Sequence, residues 1–389
     1  MPHPLISLAS TLAGMARGAI PRRWTSPVPS SARWTIERAR RWRGEQGWLN
    51  GCNFIPSTAG NQLEMWQAET WDPETIDREI GWAADLGMNS LRVFLHDLLW
   101  AAEGTAFLDR VDEFLAIADR HGVSTMLVLF DGVWHPEPAL GPQGEPKARL
   151  HNALWVQGPG RAILCEPSRW PELRPYVDAV VGRFKSDHRV VAWDLFNEPD
   201  QTNAISYPRL EVAGKTRFAD GLLNHVFDWC QAIDPAQPLT AGVYLGVNGA
   251  VERVSRLTRT MLGRSDVISF HSYGSRKKLL GTITYLARYQ RPLLCTEWMA
   301  RSIGSPVSLI RDLADHDVDA WCWGLVEGRS QTRYSWTSWL RRTRDDSALW
   351  FHDLLHADGR AYDEAKVALL RTVATSKKLE DRAGTSSFL

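Results

Sequence analysis

The sequence predicts an α/β fold, a single (β/α)8 TIM barrel with long βα loops. From Leu49 onward, short apolar segments alternate with helical segments, and this alternation favours a parallel sheet. Eight apolar segments of this kind can be counted along the chain. The chain has 389 residues, and a (β/α)8 barrel takes roughly 250 residues, or more with insertions.

The predicted strands are short, mostly apolar and bounded by polar or turn residues. In chain order they cover residues 51–55, 90–95, 124–130, 190–196, 238–244, 267–270, 293–297 and 320–325. In the fourth strand, Asn197 ends the apolar run that begins at Val190. Pro199 then stops the strand, because proline has no N–H to donate to a ladder.

The predicted helices follow the strands and cover residues 73–86, 105–120, 171–184, 215–233, 249–262, 277–289 and 306–316. The first is the best marked, with Asp72 as N-cap, Pro73 at the first helical position and Gly87 as the stop. Residues 131–169, after the third strand, form a loop rich in Pro and Gly. Loops of that length are usually functional, so we expect this one to cover part of a cleft at the carboxyl ends of the strands.

Three regions are predicted: an N-terminal extension at 1–45 that is partly loose, the barrel at 46–372, and a loose polar tail at 373–389. Within the extension, residues 21–31 resemble a linker, and the Arg-rich stretch around Trp34 and Trp42 follows. This stretch is either a nucleic-acid contact or an amphipathic helix that covers the bottom of the barrel. The formal net charge of zero favours the helix.

The net charge and the cysteine content indicate which partners and which cellular compartment to expect. With zero net charge we expect no nucleic-acid or membrane partner. The five cysteines are odd in number and lack metal-ligand spacing, which favours a reducing compartment. Residues 1–20 lack the basic start of a secretory signal. We therefore expect a cytoplasmic protein, with a periplasmic or secreted one as the alternative.

Two glutamates end predicted strands at the same edge of the sheet. Glu198 follows the fourth strand, within Asn197-Glu198-Pro199, and Glu297 ends the seventh, with Trp298 directly after it. The carboxyl ends of parallel strands meet at one face of a barrel, so the two carboxylates are expected to face one pocket. Glycoside hydrolysis requires such a pair, and the nineteen Trp residues also favour a sugar ligand.

Taken together, the motifs resemble glycoside hydrolase family 5 (cellulase-like) or a neighbouring family of the retaining (β/α)8 glycosidase clan. The residues that carry the resemblance, between about Leu49 and about Val326, are Arg92, Asn197-Glu198-Pro199, His271-Ser272-Tyr273 and Glu297. The resemblance implies that Glu198 is the general acid/base and Glu297 the nucleophile. It also implies that Tyr273 donates a hydrogen bond to the nucleophile and that His271 lies near the acid/base.

The remaining predicted substrate-binding residues sit at strand ends. Asn197 is expected to bind the sugar 2-hydroxyl, and Arg92 to pair with Glu297 or with another acid. By resemblance, Trp323 floors the subsite of the cleaved sugar, although Trp321 points the same way by alternation. The others are Asn53, His96, Asp131, Trp134 and Trp298. The family's strand-three His is missing, and Asp131 or His135 is expected to take its place.

The predicted function is retaining hydrolysis of a β-linked oligo- or polysaccharide. No metal is expected, because the first strand has no His-x-His, and the mechanism needs no cofactor. A phosphorylated substrate is not indicated, because no phosphate loop follows the last two strands. The carboxyl groups are expected to lie about 5–5.5 Å apart, with Trp134 or Trp155 near the sugar. The alternatives are a transglycosylase with the same residues and a non-catalytic carbohydrate-binding barrel. Glucan, mannan and xylan all remain open as substrates.

Overall fold

A computed structural model of the protein describes residues 32–244, 254–340 and 349–386. Eight parallel strands form one sheet in the order β5-β4-β3-β2-β1-β8-β7-β6. The strands are β1 (Asn50–Asn53), β2 (Ser90–Phe94), β3 (Ser124–Val128), β4 (Val190–Asp194), β5 (Leu239–Thr240), β6 (Ile268–Ser272), β7 (Leu293–Trp298) and β8 (Asp319–Trp323). An isolated parallel bridge between Val243, just after β5, and Phe270 of β6 connects the two edges of the sheet. The predicted (β/α)8 barrel is confirmed.

The helices surround this sheet. The described α-helices are Ile36–Gln46, Gln62–Trp66, Pro73–Asp85, Asp97–Glu103, Thr105–Arg120, Arg161–Leu164, Arg174–Phe184, Lys215–Ile233, Arg256–Arg264, Arg276–Leu286, Leu309–Asp315 and Glu364–Ser386. As predicted, Pro73 begins its helix and the Asp72 side chain caps it, accepting a hydrogen bond of 3.0 Å from the Thr75 N–H.

Several predicted helices differ in extent. Residues 171–184 begin as part of the 3-10 helix Pro167–Leu173, and the α-helix starts only at Arg174. The last predicted helix is shorter, Leu309–Asp315. The prediction for 249–262 falls partly outside the described residues, and the helix observed there is Arg256–Arg264.

The bottom of the barrel is covered by the helix Ile36–Gln46, as the sequence predicted. Thr35 caps it through a 3.1 Å hydrogen bond from the Arg38 N–H to Oγ1. Trp34 and Trp42 are buried in one cluster with strand residues of the barrel interior, among them Met126 and Trp321. The aromatic residues of this Arg-rich stretch therefore fill the lower core. The expectation that part of residues 1–31 is loose lies outside the described residues.

The expectation of a loose tail after Thr372 is wrong for the residues that the structure describes. The helix Glu364–Ser386 continues through this region. The carboxylate of Asp381 accepts a 2.8 Å hydrogen bond from the Trp48 N–H, and Lys377 lies 3.5 Å from Asp317. A polar segment is thus held to the barrel by specific contacts that composition alone does not reveal. The domain boundaries at 46 and 372 stay predictions.

None of the described helices has the length and apolar character required to cross a membrane.

Candidate active site

A cavity of about 150 Å³ opens at the carboxyl ends of the strands. Glu198 and Glu297 both line it, together with Asn197, Tyr273 and Trp323. The loop after β3 supplies Trp134, His151 and Trp155 to the same wall. The prediction that this long loop covers part of the cleft is therefore confirmed. In (β/α)8 enzymes this face of the barrel carries the active site.

Glu198 is held by an unusual backbone. Its φ is 40°, which lies in the left-handed region that side chains other than glycine rarely adopt. The segment is fixed by hydrogen bonds on either side, from the Asn197 N–H to Phe130 O at 2.8 Å and from the Gly132 N–H to Asn197 O at 2.9 Å. A Cβ added to Gly132 would lie 2.5 Å from the Glu198 carbonyl oxygen, so only glycine fits there. Strain of this kind concentrates at functional sites.

The two glutamates face each other across a histidine. One oxygen of Glu198, one oxygen of Glu297 and one ring nitrogen of His271 all lie within 4.8 Å of one another. His271 Nδ1 is 2.7 Å from Glu198 Oε1 and 3.4 Å from Glu297 Oε2. His271 and Glu297 are paired residues of β6 and β7, so their side chains share the interior face.

Arg92 lies beneath the site with its side chain fully buried. Its Nη1 is 2.9 Å from Glu297 Oε1, and its Nη2 is 2.8 Å from Asp194 Oδ2. The amide oxygens of Asn53 and Asn197 accept further hydrogen bonds from it at 2.6 and 2.7 Å. The predicted partner Glu297 is confirmed, and Asp194 is a second acid that balances the charge of this buried guanidinium.

The hydrogen bonds that favour an ionised carboxylate are concentrated on Glu297. The Tyr273 hydroxyl donates to Glu297 Oε2 at 2.8 Å, while Arg92 occupies Oε1. Burial raises the pKa of Glu297 to about 7, although His271, Arg92 and Tyr273 act to lower it. Burial raises the pKa of Glu198 well above its usual range, and the nearby Asp200 and Asp131 add to the rise. Glu198 is therefore the group that keeps its proton and Glu297 the one that ionises first.

A group of His271 and the two glutamates has the spacing that a metal ion would need. The Arg92 guanidinium, 2.9 Å from Glu297, opposes a second cation beside the same carboxylate. Glu198 and Glu297 are therefore better suited to proton transfer and nucleophilic attack than to binding a metal ion.

Asn197 is oriented from two sides. Its oxygen accepts from Arg92, and its amide nitrogen donates to Asp131 Oδ1 at 2.9 Å. Asp131 in turn accepts a 2.6 Å hydrogen bond from the Trp155 indole on Oδ2. Burial raises the pKa of Asp131 to about 6. Asp131, which lines the cavity, thus connects Asn197 to the loop after β3.

Aromatic rings form the walls of the cavity. Trp134 stacks on Trp339 with centroids 5.5 Å apart and 20° between their planes. Trp323 packs edge-on against Trp155 at 5.5 Å. Trp321, the alternative to Trp323 in the sequence, is fully buried in the lower core, and Trp323 is the one that lines the cavity.

Five predicted substrate-binding residues are not among those lining the main cavity. Two of them, Arg92 and His271, contact the glutamates as described above, and the other three are Asn53, His96 and Trp298. Asn53 instead donates to the Thr296 carbonyl at 2.8 Å and accepts from Arg92. His96 is fully buried, with Nδ1 accepting from the Leu98 N–H at 3.2 Å and Nε2 lying 3.0 Å from the Gln157 carbonyl. Trp298 lies in the outer hydrophobic core. For His96 and Trp298 contact with substrate stays a prediction, and Asn53 contacts Arg92 from the neighbouring strand.

Other cavity residues were not singled out from the sequence. Those with aromatic or imidazole rings are Tyr244, His151, Trp336, Trp339 and His352. Tyr244 follows β5 and could have been found by the strand-end rule that identified Glu198. His151 and His352 lie in loops without periodic pattern, and Trp336 and Trp339 lie in the short 3-10 helix Trp336–Trp339. Only the high tryptophan content pointed towards aromatic walls.

Solved glycosidase structures share this fold. GH5_18 from Streptomyces cattleya in complex with GlcNAc has a TM-score of 0.54 at 16% identity and covers 86% of this chain and 80% of that chain. A β-glucosidase 1317 has a TM-score of 0.56 at 12% identity, with coverages of 85% and 98%. The β-mannanase from blue mussel, Mytilus edulis, has a TM-score of 0.51 at 16% identity, with coverages of 78% and 93%.

A glutamate-to-alanine variant of the Streptomyces cattleya protein has been solved in complex with Manβ1-4GlcNAc. No family model matches the sequence, and no curated protein matches it either. At these identities the structural matches show a shared (β/α)8 fold. Neighbours of this kind are consistent with the resemblance to glycoside hydrolase family 5.

Proposed function

We propose that the protein is a retaining β-glycosidase that cleaves a β-linked oligo- or polysaccharide through a covalent glycosyl-enzyme. One observation carries the proposal: oxygens of Glu198 and Glu297 lie within 4.8 Å of each other across one cavity. Carboxyl groups about 5–5.5 Å apart are typical of retaining enzymes, whereas inverting enzymes leave roughly 6.5–9.5 Å for a water molecule.

Glu297 is the nucleophile in this mechanism. Attack on the sugar carbon requires an ionised carboxylate. Arg92 contacts one oxygen of Glu297 and the Tyr273 hydroxyl contacts the other, at 2.9 and 2.8 Å. Both contacts favour the charged form in a buried site where it would otherwise be unfavourable.

Glu198 is the general acid/base. The leaving oxygen needs a proton in the first step, and the same residue must accept one from water in the second. Burial raises the pKa of Glu198, so the proton is present when the bond breaks. Burial also lowers the pKa of His271 to about 4. A neutral His271 can therefore hold the Glu198 side chain without competing as a cation.

The substrate is held by aromatic and polar groups together. Trp323, Trp134 and Trp339 offer flat apolar surfaces to sugar rings, and Asn197 faces the cavity with an amide nitrogen that has a second N–H to donate. Structural neighbours bind GlcNAc and Manβ1-4GlcNAc. This supports a β-linked sugar as the ligand class of the present site.

The test is to follow cleavage of 4-nitrophenyl β-D-mannoside, β-D-glucoside and β-D-xyloside by NMR from the first turnover. We expect at least one to be cleaved and its β-anomer to appear before the α-anomer. An α-anomer formed first would overturn retention. Absence of turnover on these glycosides and on mixed β-linked oligosaccharides would overturn hydrolysis. Glu297→Gln serves as the inactive control, since it keeps the side-chain shape and removes the nucleophile.

A further inference from the structure

Two buried histidines line the cavity and have no part in the mechanism above. His151 lies on the loop after β3, and His352 follows β8. They are 1% and 0% exposed, and their ring centroids are 5.4 Å apart. His352 also lies 5.6 Å from the ring of Tyr273, the residue that contacts Glu297. The histidine pair thus lies beside the carboxylate pair.

Backbone contacts define the tautomer of both rings. His352 Nδ1 lies 2.6 Å from the Met299 carbonyl oxygen, and His151 Nδ1 lies 2.8 Å from the Tyr334 carbonyl oxygen. A carbonyl oxygen can only accept a hydrogen bond, so each Nδ1 must carry the proton. In a neutral imidazole the other nitrogen, Nε2, is then an acceptor.

Both rings are neutral at physiological pH. Burial lowers the pKa of His151 to about 4. Burial lowers the pKa of His352 well below its usual range, and the neighbouring His151 adds to the effect. Each ring therefore keeps an unprotonated Nε2.

His352 Nε2 has no hydrogen-bond partner among the described residues, although it is buried. A buried polar atom without a partner is rare in a native protein. Since Nδ1 of the same ring is bound to backbone, the remaining nitrogen is suited to a donor that arrives with a ligand. The His352 ring packs against three aromatic side chains, those of Tyr273, Trp336 and Phe351.

We infer that His151 and His352 form a subsite that accepts hydrogen bonds from hydroxyl groups of a neutral sugar ring, and that this subsite disfavours a uronic acid. The inference rests on the proposed function and specifies its substrate class. A sugar hydroxyl can donate to Nε2, whereas a carboxylate has no proton to donate and presents lone pairs to lone pairs. The ionised carboxylate of Glu297 lines the same cavity and opposes a further negative charge there.

The first test uses the aryl β-glycoside that the wild type cleaves best and its 3-, 4- and 6-deoxyfluoro analogues. Fluorine cannot donate a hydrogen bond, so one analogue should lose about tenfold more kcat/KM than the others. In His352→Leu that extra loss should disappear, and in His352→Gln, which keeps an acceptor, part of it should remain. Fluorine also changes the reactivity of the glycoside by induction, but this change is the same for the wild type and the variants and cancels when their losses of kcat/KM are compared.

His316→Leu is the matched control, because its Nδ1 also contacts a backbone carbonyl, Asp312 O at 2.8 Å, on a helix away from the cavity. It should behave as the wild type does. If the wild type shows no analogue-specific loss, or if His352→Leu keeps the loss in full, the inference is overturned even though hydrolysis itself stands. The deoxyfluoro series measured on the wild type can overturn the inference by itself, so the test remains decisive even if His352→Leu does not fold.

A binding measurement separates this inference from the proposed function. Calorimetric titration of the wild type with mannose, glucose and glucuronate does not depend on turnover. We expect one of the neutral sugars to bind at least about tenfold more tightly than glucuronate, and His352→Leu to weaken its binding. Equal or tighter binding of glucuronate, or absence of binding by all three, overturns the inference. Failure of cleavage alone overturns only the hydrolytic function.

Discussion

Arg92 and Glu297 are in direct contact, with Nη1 of Arg92 2.9 Å from Oε1 of Glu297 and the guanidinium fully buried. The same guanidinium also binds Asp194 at 2.8 Å through Nη2. One cation therefore balances two carboxylates that come from different strands, β4 and β7. The ionised state of Glu297, the proposed nucleophile, and the stability of the barrel interior therefore depend on one network.

Asp194→Asn should destabilise the protein. Removing one partner of a buried ion pair leaves the other charge poorly compensated, and the usual cost is about 3–5 kcal/mol in the free energy of unfolding. Urea unfolding measures it. Asp358→Asn is the control, because Asp358 pairs with Arg360 on the surface, where ion pairs contribute little. An Asp194→Asn protein as stable as this control would contradict the role assigned to the network.

Tyr273→Phe should move the acid limb of kcat/KM to higher pH. The Tyr273 hydroxyl donates to Glu297 Oε2 at 2.8 Å, and this bond favours the ionised carboxylate. Burial raises the pKa of Glu297 to about 7 while Tyr273 acts to lower it. Without the hydroxyl the pKa rises further, so the ionised fraction is lost at a higher pH than in the wild type.

The measurement is the pH profile of kcat/KM for both proteins. Tyr285→Phe is the matched control, since Tyr285 carries a buried hydroxyl without a partner among the described residues and does not line the cavity. Its profile should coincide with that of the wild type. An acid limb that stays in place, or moves to lower pH, in Tyr273→Phe would count against Glu297 as the ionised group.

Trp339→Ala should raise KM more for β-linked oligosaccharides than for a monosaccharide aryl glycoside. Trp339 stacks on Trp134 at 5.5 Å along the cavity wall, and an added sugar ring there would lose its aromatic surface. Trp71→Ala is the matched control, because Trp71 stacks on Trp66 at the same 5.5 Å but outside the cavity. If KM rises equally for both substrates in Trp339→Ala, or if Trp71→Ala has the same effect, Trp339 does not contact the sugar.

The barrel was predictable because each strand is a short apolar run that ends in polar residues. The alternation from Leu49 to Leu325 follows directly from burying both faces of a parallel sheet. The same rule put Glu198 and Glu297 at one face, since both follow such runs. The bounds of Thr105–Arg120 and Lys215–Ile233 also agree with the ranges predicted from the sequence.

The direction of a strand-end side chain was harder to predict. Trp298 directly follows Glu297, so alternation turns it away from the cavity and into the helical layer. His96 caps the helix Asp97–Glu103 with its ring nitrogen, a local role that competes with substrate contact. The sequence motif identifies the strand end in both cases, but not which way the side chain points.

Contacts between distant loops could not be predicted from one sequence. His151 and His352 meet only because the loop after β3 and the chain after β8 fold over the same cavity. Neither segment has a helical or strand period. The helix Glu364–Ser386 was not predicted either, and its residue Asp381 contacts the backbone of Trp48, which is far away in the sequence.

Azide rescue of Glu198→Ala and Glu297→Ala on an activated aryl β-glycoside tests the central assignment most directly. Without Glu198, loss of general acid–base catalysis costs roughly 10²–10⁴-fold, but the glycosyl-enzyme still forms and azide attacks it to give the β-glycosyl azide. Without Glu297 no glycosyl-enzyme forms, so any azide product arises by direct displacement and is the α-glycosyl azide. NMR of the products distinguishes the two. The α-azide from Glu198→Ala together with the β-azide from Glu297→Ala would reverse the roles, and full activity in both variants would contradict the site.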